Sequence, residues 1–232
     1  MKIIAINNKK VNKMNRIPLE KRISSFQKIL SRDNVEIAFV SCLSNKDPNL
    51  HYYIGSEIDE GFLVIPKKGN SILLASKMEY ERAKQCLKDV KSIKILKFEK
   101  PVTEQIGKLT KKYNPKTIGL NKSIISVNEF MALKKGISKS MKANKYVDIS
   151  RILLEKRSVK DEYEIELIKQ ACKISDDIFR KTFKSIKSLK TEEDIRQFMT
   201  RETQKLGLKT SFEPLVASGK NFFLNSSLPS NP

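Results

Sequence analysis

Hydrolytic or metal-assisted chemistry needs imidazole, thiolate or paired carboxylates at close quarters, and this sequence offers few candidates. His51 is the only histidine. A single imidazole without carboxylates beside it cannot make a metal site. The three cysteines, Cys42, Cys86 and Cys172, are odd in number, far apart and free of any C-x-x-C pairing. That spacing excludes a paired redox motif or a thiolate zinc cage. Cys172 falls within an apolar helical stripe, so a buried, reduced thiol is expected there. Two acidic pairs remain, Asp176/Asp177 and Glu192/Glu193. Adjacent residues on a helix point in different directions, so both pairs are expected to face water rather than share a cation.

Composition narrows the class further. Hydrophobic residues make up 39% of the 232 positions and charged residues 31%, the balance of a folded chain rather than a disordered one. No apolar run reaches the roughly 18–20 residues that span a bilayer. Met1 to Lys13 mixes Ile with Asn and Lys and lacks a signal-peptide core. A cytoplasmic protein with no membrane partner is the expectation. The net charge of +20 comes from 46 basic residues, of which nine are Arg. Base edges are usually gripped by Arg forks and aromatic stacking. Here Arg is scarce, Trp is absent and lysines run along the whole chain. A solvated lysine surface follows, with nucleic-acid binding only weak and nonspecific.

The elements that must position any site alternate between helix and strand. Pro18 to Leu30 has helical apolar spacing, and Val35 to Val40 reads as a buried strand. Asn49, Tyr52 and Gly55, within Pro48 to Gly55, read as a strand-turn element: Tyr for packing, Gly for a positive φ. Gly61 to Pro66 and Ser71 to Ala75, joined through Gly69-Asn70, make a hairpin. Helices are expected over Glu79–Leu87, Val102–Tyr113 and Val127–Lys135, with strands at Ile93–Phe98, Thr117–Leu120 and Val147–Ile149. This alternation indicates a mixed sheet flanked by helices. Beyond Arg151–Arg157, Asp161 with Glu164 forms a capping-box signature. Ile165, Ile168, Ala171, Cys172, Ser175, Ile178 and Phe179 then form a helical stripe. Thr191 opens a second helix whose apolar face is Ile195, Phe198 and Met199, and Gly207 stops it. Ser211 to Ala217 reads as a strand entering Ser218-Gly219-Lys220-Asn221.

Taken in order, several segments carry a resemblance. They are R-S-V-K-D-E-Y-E-I-E-L-I-K-Q-A-C-K-I-S-D-D-I-F from Arg157, K-T-E-E-D-I from Lys190 and T-S-F-E-P-L-V-A-S-G-K-N from Thr210. This series resembles the opening of the catalytic domain of Xaa-Pro aminopeptidases and prolidases, the creatinase-like "pita-bread" metallopeptidases. The P-N-L-x-Y-x-x-G element and the G-F-L-V-I-P strand are similar to that family's N-terminal domain. The implied fold class is α/β. A creatinase/prolidase N-terminal-like mixed sheet flanked by helices would be followed by the first helices and strand of an incomplete pita-bread α+β domain. The implied domains are a 1–17 extension, an 18–146 N-terminal-like domain and a truncated 147–232 catalytic part.

The resemblance also implies a chemistry. Family members hydrolyse the bond before proline in peptides with two divalent metal ions (Mn, Co or Zn), and commonly form homodimers. Their ligands, two Asp, a His and two Glu, come downstream of this segment and have no counterpart here. A further active-site His of the family falls on Ser226 when Ser218-Gly219-Lys220-Asn221 is aligned, and serine cannot replace imidazole as a proton donor near neutral pH. The expectation is an Xaa-Pro aminopeptidase or dipeptidase relative, inactive as this truncated chain, with no catalytic, cofactor or metal residue of its own. The alternative is a non-catalytic binding module of the same fold that takes RNA or another protein.

Overall fold

The structure is a computed structural model, which describes residues 17–98, 101–141 and 145–219. Its described residues fall into two compact units, Ile17–Val159 and Lys160–Gly219.

The first unit is built on a six-stranded sheet, counted among the described residues. In chain order its elements are α1 (Leu19–Arg32), β1 (Ile37–Ser41), α2 (Pro48–Ile54), β2 (Gly61–Pro66), β3 (Ser71–Ala75) and α3 (Lys77–Cys86). There follow β4 (Ile93–Lys97), α4 (Val102–Tyr113), β5 (Thr117–Leu120), α5 (Val127–Ser138), β6 (Lys145–Asp148) and α6 (Ser150–Ser158). The strand order is β4-β3-β2-β1-β5-β6. β1, β2 and β3 pair antiparallel, whereas β3–β4, β1–β5 and β5–β6 are parallel. Parallel neighbours need a crossover: α3 supplies it between β3 and β4 and α5 between β5 and β6, while α4 leads from β4 to β5 beside β1.

Both sheet faces are covered, which explains why β1 (IAFVS) and β2 (GFLVIP) are apolar throughout rather than alternating. Period-two placement still sorts the side chains. Ala38, Val40, Leu63, Ile65 and Leu73 meet α1, α2, α3 and α6 on one face. Ile37, Phe39, Phe62, Val64 and Leu74 meet α4 and α5 on the other. In α1, Leu19, Ile23, Phe26 and Leu30 recur at helical spacing and are buried. Ile149 and Leu153 join the first of these clusters, so α6 packs with this unit.

One expected strand is a helix. Pro48 to Ile54 forms α2, capped by Asp47, whose side chain accepts from the Asn49 amide, and ended by Gly55 at φ +69°. Pro at the first helical position and Gly just past the end are helix boundaries. They outweigh the strand preference of Tyr52, Tyr53 and Ile54, so Asn49 and Tyr52 lie in a helix and Gly55 ends it.

In the second unit α7 (Glu162–Ser185) and α8 (Glu192–Lys205) are joined through a 3-10 turn, Ile186–Ser188. Both open with capping boxes, Asp161 with Glu164 and Thr191 with Asp194. The expected strand at Ser211–Ala217 does not form, since the described residues there hold no regular structure. A strand exists only through a paired neighbour, and no described strand lies in this unit. Cys172 is exposed rather than buried. The helical stripe is only narrowly covered, with Ala171 and Ile178 buried while Phe179 is 63% exposed. No helix among the described residues is long and apolar enough to cross a membrane.

Candidate functional site

A buried polar constellation of the first unit is organised by Asp47. Its carboxylate is buried. One oxygen accepts from the Asn49 backbone N–H at 2.8 Å and from Asn49 Nδ2 at 2.7 Å. The other accepts from Asn121 Nδ2 at 2.9 Å, and Ser123 Oγ donates to Asn121 Oδ1 at 2.8 Å. Arg157 Nη1 reaches Asn49 Oδ1 at 3.3 Å, Tyr52 Oη donates to the Lys156 carbonyl at 3.2 Å, and Arg22 Nη1 donates to the Tyr52 carbonyl at 2.8 Å. The Arg22 guanidinium also lies over the Tyr52 ring, 4.1 Å from its centroid. One short helix thus ties together β5, α1 and α6. A buried carboxylate with both oxygens engaged is a structural clamp rather than a free acid or base.

The same region is where an open sheet would bind a ligand. β1 and β5 are parallel neighbours, and the helices that follow them, α2 and α5, pack on opposite faces. The crevice beyond the carboxyl ends of such strands is the usual ligand position. Here Phe39, Phe62, Leu120 and Leu133 fill it, with Ser41, Asp47 and Asn121 at its polar side. The remaining space is roughly that of one water molecule. Glu129, which could have supplied an acid, accepts hydrogen bonds from the hydroxyls of Ser41 and Ser44. Beside it, Cys42 is buried, accepts from the Asp47 N–H at 3.1 Å and donates to the Asp47 carbonyl at 3.6 Å. Burial pushes its thiol upward, the wrong direction for a nucleophile. This crevice is packed shut.

In the second unit the acidic residues separate. Asp176 and Asp177 are exposed on α7, as expected. Glu193 pairs with Arg196, which holds its carboxyl below the usual glutamate range. Glu192 departs from expectation. It is buried and accepts from the Ser218 backbone N–H at 2.6 Å and from Ser218 Oγ at 3.0 Å. Arg196 also approaches Glu213 at 3.5 Å. The first turn of α8 therefore holds the extended segment that follows Gly207, a contact across 26 positions that a helical wheel of α8 alone does not reveal.

These arrangements do not fit a dinuclear metal centre. Among the described residues no group of three or more His, Cys, Asp or Glu could hold an ion. His51 is exposed on α2. Ser226 lies outside the described residues. Nothing in the sequence pattern singles out Asp47 and Asn121, or the contact of Arg157 with Asn49, although Asp47-Pro48 with Gly55 carries the signal of a capped helix.

Comparison with known proteins agrees with this fold. Residues 22–159 match the family model of the Creatinase/Prolidase N-terminal domain, and residues 166–230 match Metallopeptidase family M24. The Xaa-Pro dipeptidase of Pyrococcus furiosus is 22% identical over 202 residues, 87% of this chain and 53% of that protein. An uncharacterized peptidase of Staphylococcus haemolyticus is 26% identical over 205 residues, 85% of this chain and 54% of that protein. The chain thus spans about half the length of the curated relatives it matches. In fold it is similar to an X-Pro aminopeptidase from Thermotoga maritima, with a TM-score of 0.73 at 23% identity over 85% of this chain and 54% of that one. A prolidase from Thermococcus sibiricus gives 0.70 at 21% identity over 93% and 58%. With the N-terminal domain model covering more than half of its residues and the M24 model following in order, the chain belongs to the creatinase/prolidase family.

Proposed function

We propose that this chain supplies the N-terminal domain and the opening helices of the metallopeptidase domain of an Xaa-Pro aminopeptidase or dipeptidase, an enzyme that hydrolyses the peptide bond before proline. The sequence reading divides these parts as 18–146 and 147–232, and the compact unit Ile17–Val159 with the match over 22–159 supports a boundary nearer 159. The observation that carries the reading is the order of matches, a complete six-stranded unit followed by two capped helices within the M24 region. The name of the Pyrococcus furiosus relative supports proline-containing substrates. A cytoplasmic location and a homodimer belong to the same reading.

These 232 residues by themselves do not hydrolyse peptides. Two divalent cations (Mn, Co or Zn) would supply an activated water in a complete site, which takes several carboxylates and an imidazole to hold. The only histidine of the sequence is the exposed His51. Among the described residues three carboxylates are buried: Asp47 and Glu192 are committed to amide and hydroxyl donors, and Glu202 to Lys181 and Lys205. The test is release of amino acid from a Gly-Pro dipeptide, or from an Xaa-Pro-extended peptide, by the purified protein with Mn²⁺ or Co²⁺. No release above the blank is expected. Metal-dependent turnover overturns the reading.

A further inference from the structure

The first turn of α8 carries three adjacent acids, Glu192, Glu193 and Asp194, and each has a different task. Asp194 closes the capping box with Thr191 and also accepts from the Lys190 N–H at 3.1 Å. Glu193 pairs with Arg196 and accepts from Gln197 Nε2 at 2.7 Å. The helix end is therefore capped, and its dipole complemented, without Glu192. Yet Glu192 is the buried one of the three, only 6% exposed. Burying a carboxylate costs free energy unless donors are aimed at it. Ser218 aims two at one oxygen, its backbone N–H at 2.6 Å and its Oγ at 3.0 Å from Glu192 Oε1. Two donors of one residue converging on one acceptor fix that residue's orientation as well as its position. Gly219 follows at φ +51°, with nothing within 4 Å of where a Cβ would stand. Backbone conformation rather than space calls for glycine there. One helical turn on from Glu192, Arg196 Nη1 reaches Glu213 at 3.5 Å, but Glu213 is 78% exposed and this second tether is weak.

We infer that Glu192 is a positioning residue: it holds the Ser218-Gly219 turn and so sets the course of the chain that continues from it. The inference rests on the peptidase reading for its purpose, since the turn lies within the M24 match over residues 166–230 and precedes Ser226. Glu192 touches no reacting group and acts through Ser218. An apolar side chain of similar size would leave the Ser218 N–H without its acceptor. The competing role is purely helical, because any acid in a first turn also complements the helix dipole. The burial of Glu192, beside two acids that already serve the helix end, argues against it.

Hydrogen exchange of the full chain, resolved by nuclear magnetic resonance at the residue 218 and Gly219 amides, tests the inference. Four variants are compared with the native chain. Glu192→Ala removes the acceptor, and Glu192→Gln keeps an oxygen without the charge. Ser218→Ala keeps the N–H and loses the Oγ donor, and Glu193→Ala removes the neighbouring acid. Glu192→Ala should speed exchange of the Ser218 amide about tenfold to a hundredfold, the loss that a hydrogen bond to a charged acceptor implies. Glu192→Gln should restore part of the protection. Ser218→Ala should raise exchange at residue 218 by less, and Glu193→Ala should leave it unchanged. Amides in the middle of α8 should exchange at native rates in all four. Unchanged exchange of Ser218 in Glu192→Ala would overturn the inference. So would protection lost along the whole of α8 together with Ser218, which would make Glu192 a helix stabiliser only. An equal loss in Glu193→Ala would overturn it too, because negative charge anywhere in the turn would then suffice. If Glu192→Ala does not fold, the near-isosteric Glu192→Gln and the exposed Ser218→Ala decide by the same criteria. Failure here leaves the peptidase reading standing, and turnover by the chain leaves the exchange result standing.

Discussion

Asp47 shows how one side chain can decide the geometry around it. It caps α2, receives both the backbone and side-chain N–H groups of Asn49, and holds Asn121 at the end of β5. Replacing it with Ala removes the cap, typically about 1 kcal/mol. It also leaves the buried Asn49 and Asn121 amides without their acceptor, about 1–3 kcal/mol more for such groups. Asp47→Ala should therefore lower unfolding free energy by about 2–4 kcal/mol in urea, with Asp47→Asn intermediate because one oxygen remains to accept. A change below about 0.5 kcal/mol, the range of an ordinary surface substitution, would mean that water replaces the network. Glu192 teaches a related lesson. Beside Glu193 it reads as half of a solvated acidic pair, yet it is buried because Ser218 folds back onto it.

Among the elements, the α4–α5 pair depends most on residues that a helix would ordinarily avoid. Glycine inside a helix costs about 1 kcal/mol relative to alanine. Both helices accept that cost at their contact, where Gly107 and Gly136 admit backbone against backbone. Gly107→Ala should consequently destabilise the protein by about 1–3 kcal/mol, the usual cost of overpacking, although it improves helix propensity. Thermal or urea unfolding reads the sign directly. Stabilisation by about 1 kcal/mol would mean that α4 can move away from α5 freely. Packing rather than propensity also explains α2, where Pro48 and Gly55 fix the ends and Leu50, Tyr53 and Ile54 are buried.

At the scale of the whole molecule the two units differ in how much apolar surface they hide. The first contains a cluster on each side of its sheet. In the second, Phe179 and Phe183 are 63% and 69% exposed, and the segment after Gly207 holds no regular structure up to Gly219. Local opening is easiest where few buried contacts oppose it. Limited trypsin digestion should leave a resistant fragment that contains residues 17 to about 159, with early cuts within 160–219, at Lys190 and Lys209 among others. Mass spectrometry of the fragments decides the matter. Equal resistance of both units in a monomeric protein would favour a self-sufficient binding module over an enzyme part.

The sequence alone determined the local features whose causes are local. The caps Asp161, Thr191 and Gly207, the span of α4 and the β2–β3 hairpin all follow from neighbouring residues, because capping, turn geometry and periodicity act over a few positions. The ordered series of such elements also carried the family resemblance. What only the tertiary structure decided depends on partners distant in the chain. Tyr52, Tyr53 and Ile54 have strand preferences but lie in a helix, since the core receives them there. Ser211–Ala217 has a strand composition but no described strand to pair with. Cys172 sits in an apolar stripe yet faces outward, because few described groups cover that side of α7. The closed crevice beyond β1 and β5 exists only once Phe39, Phe62, Leu120 and Leu133 converge from three strands and a helix. Burial is a property of the assembled neighbours, and no single segment of sequence contains them.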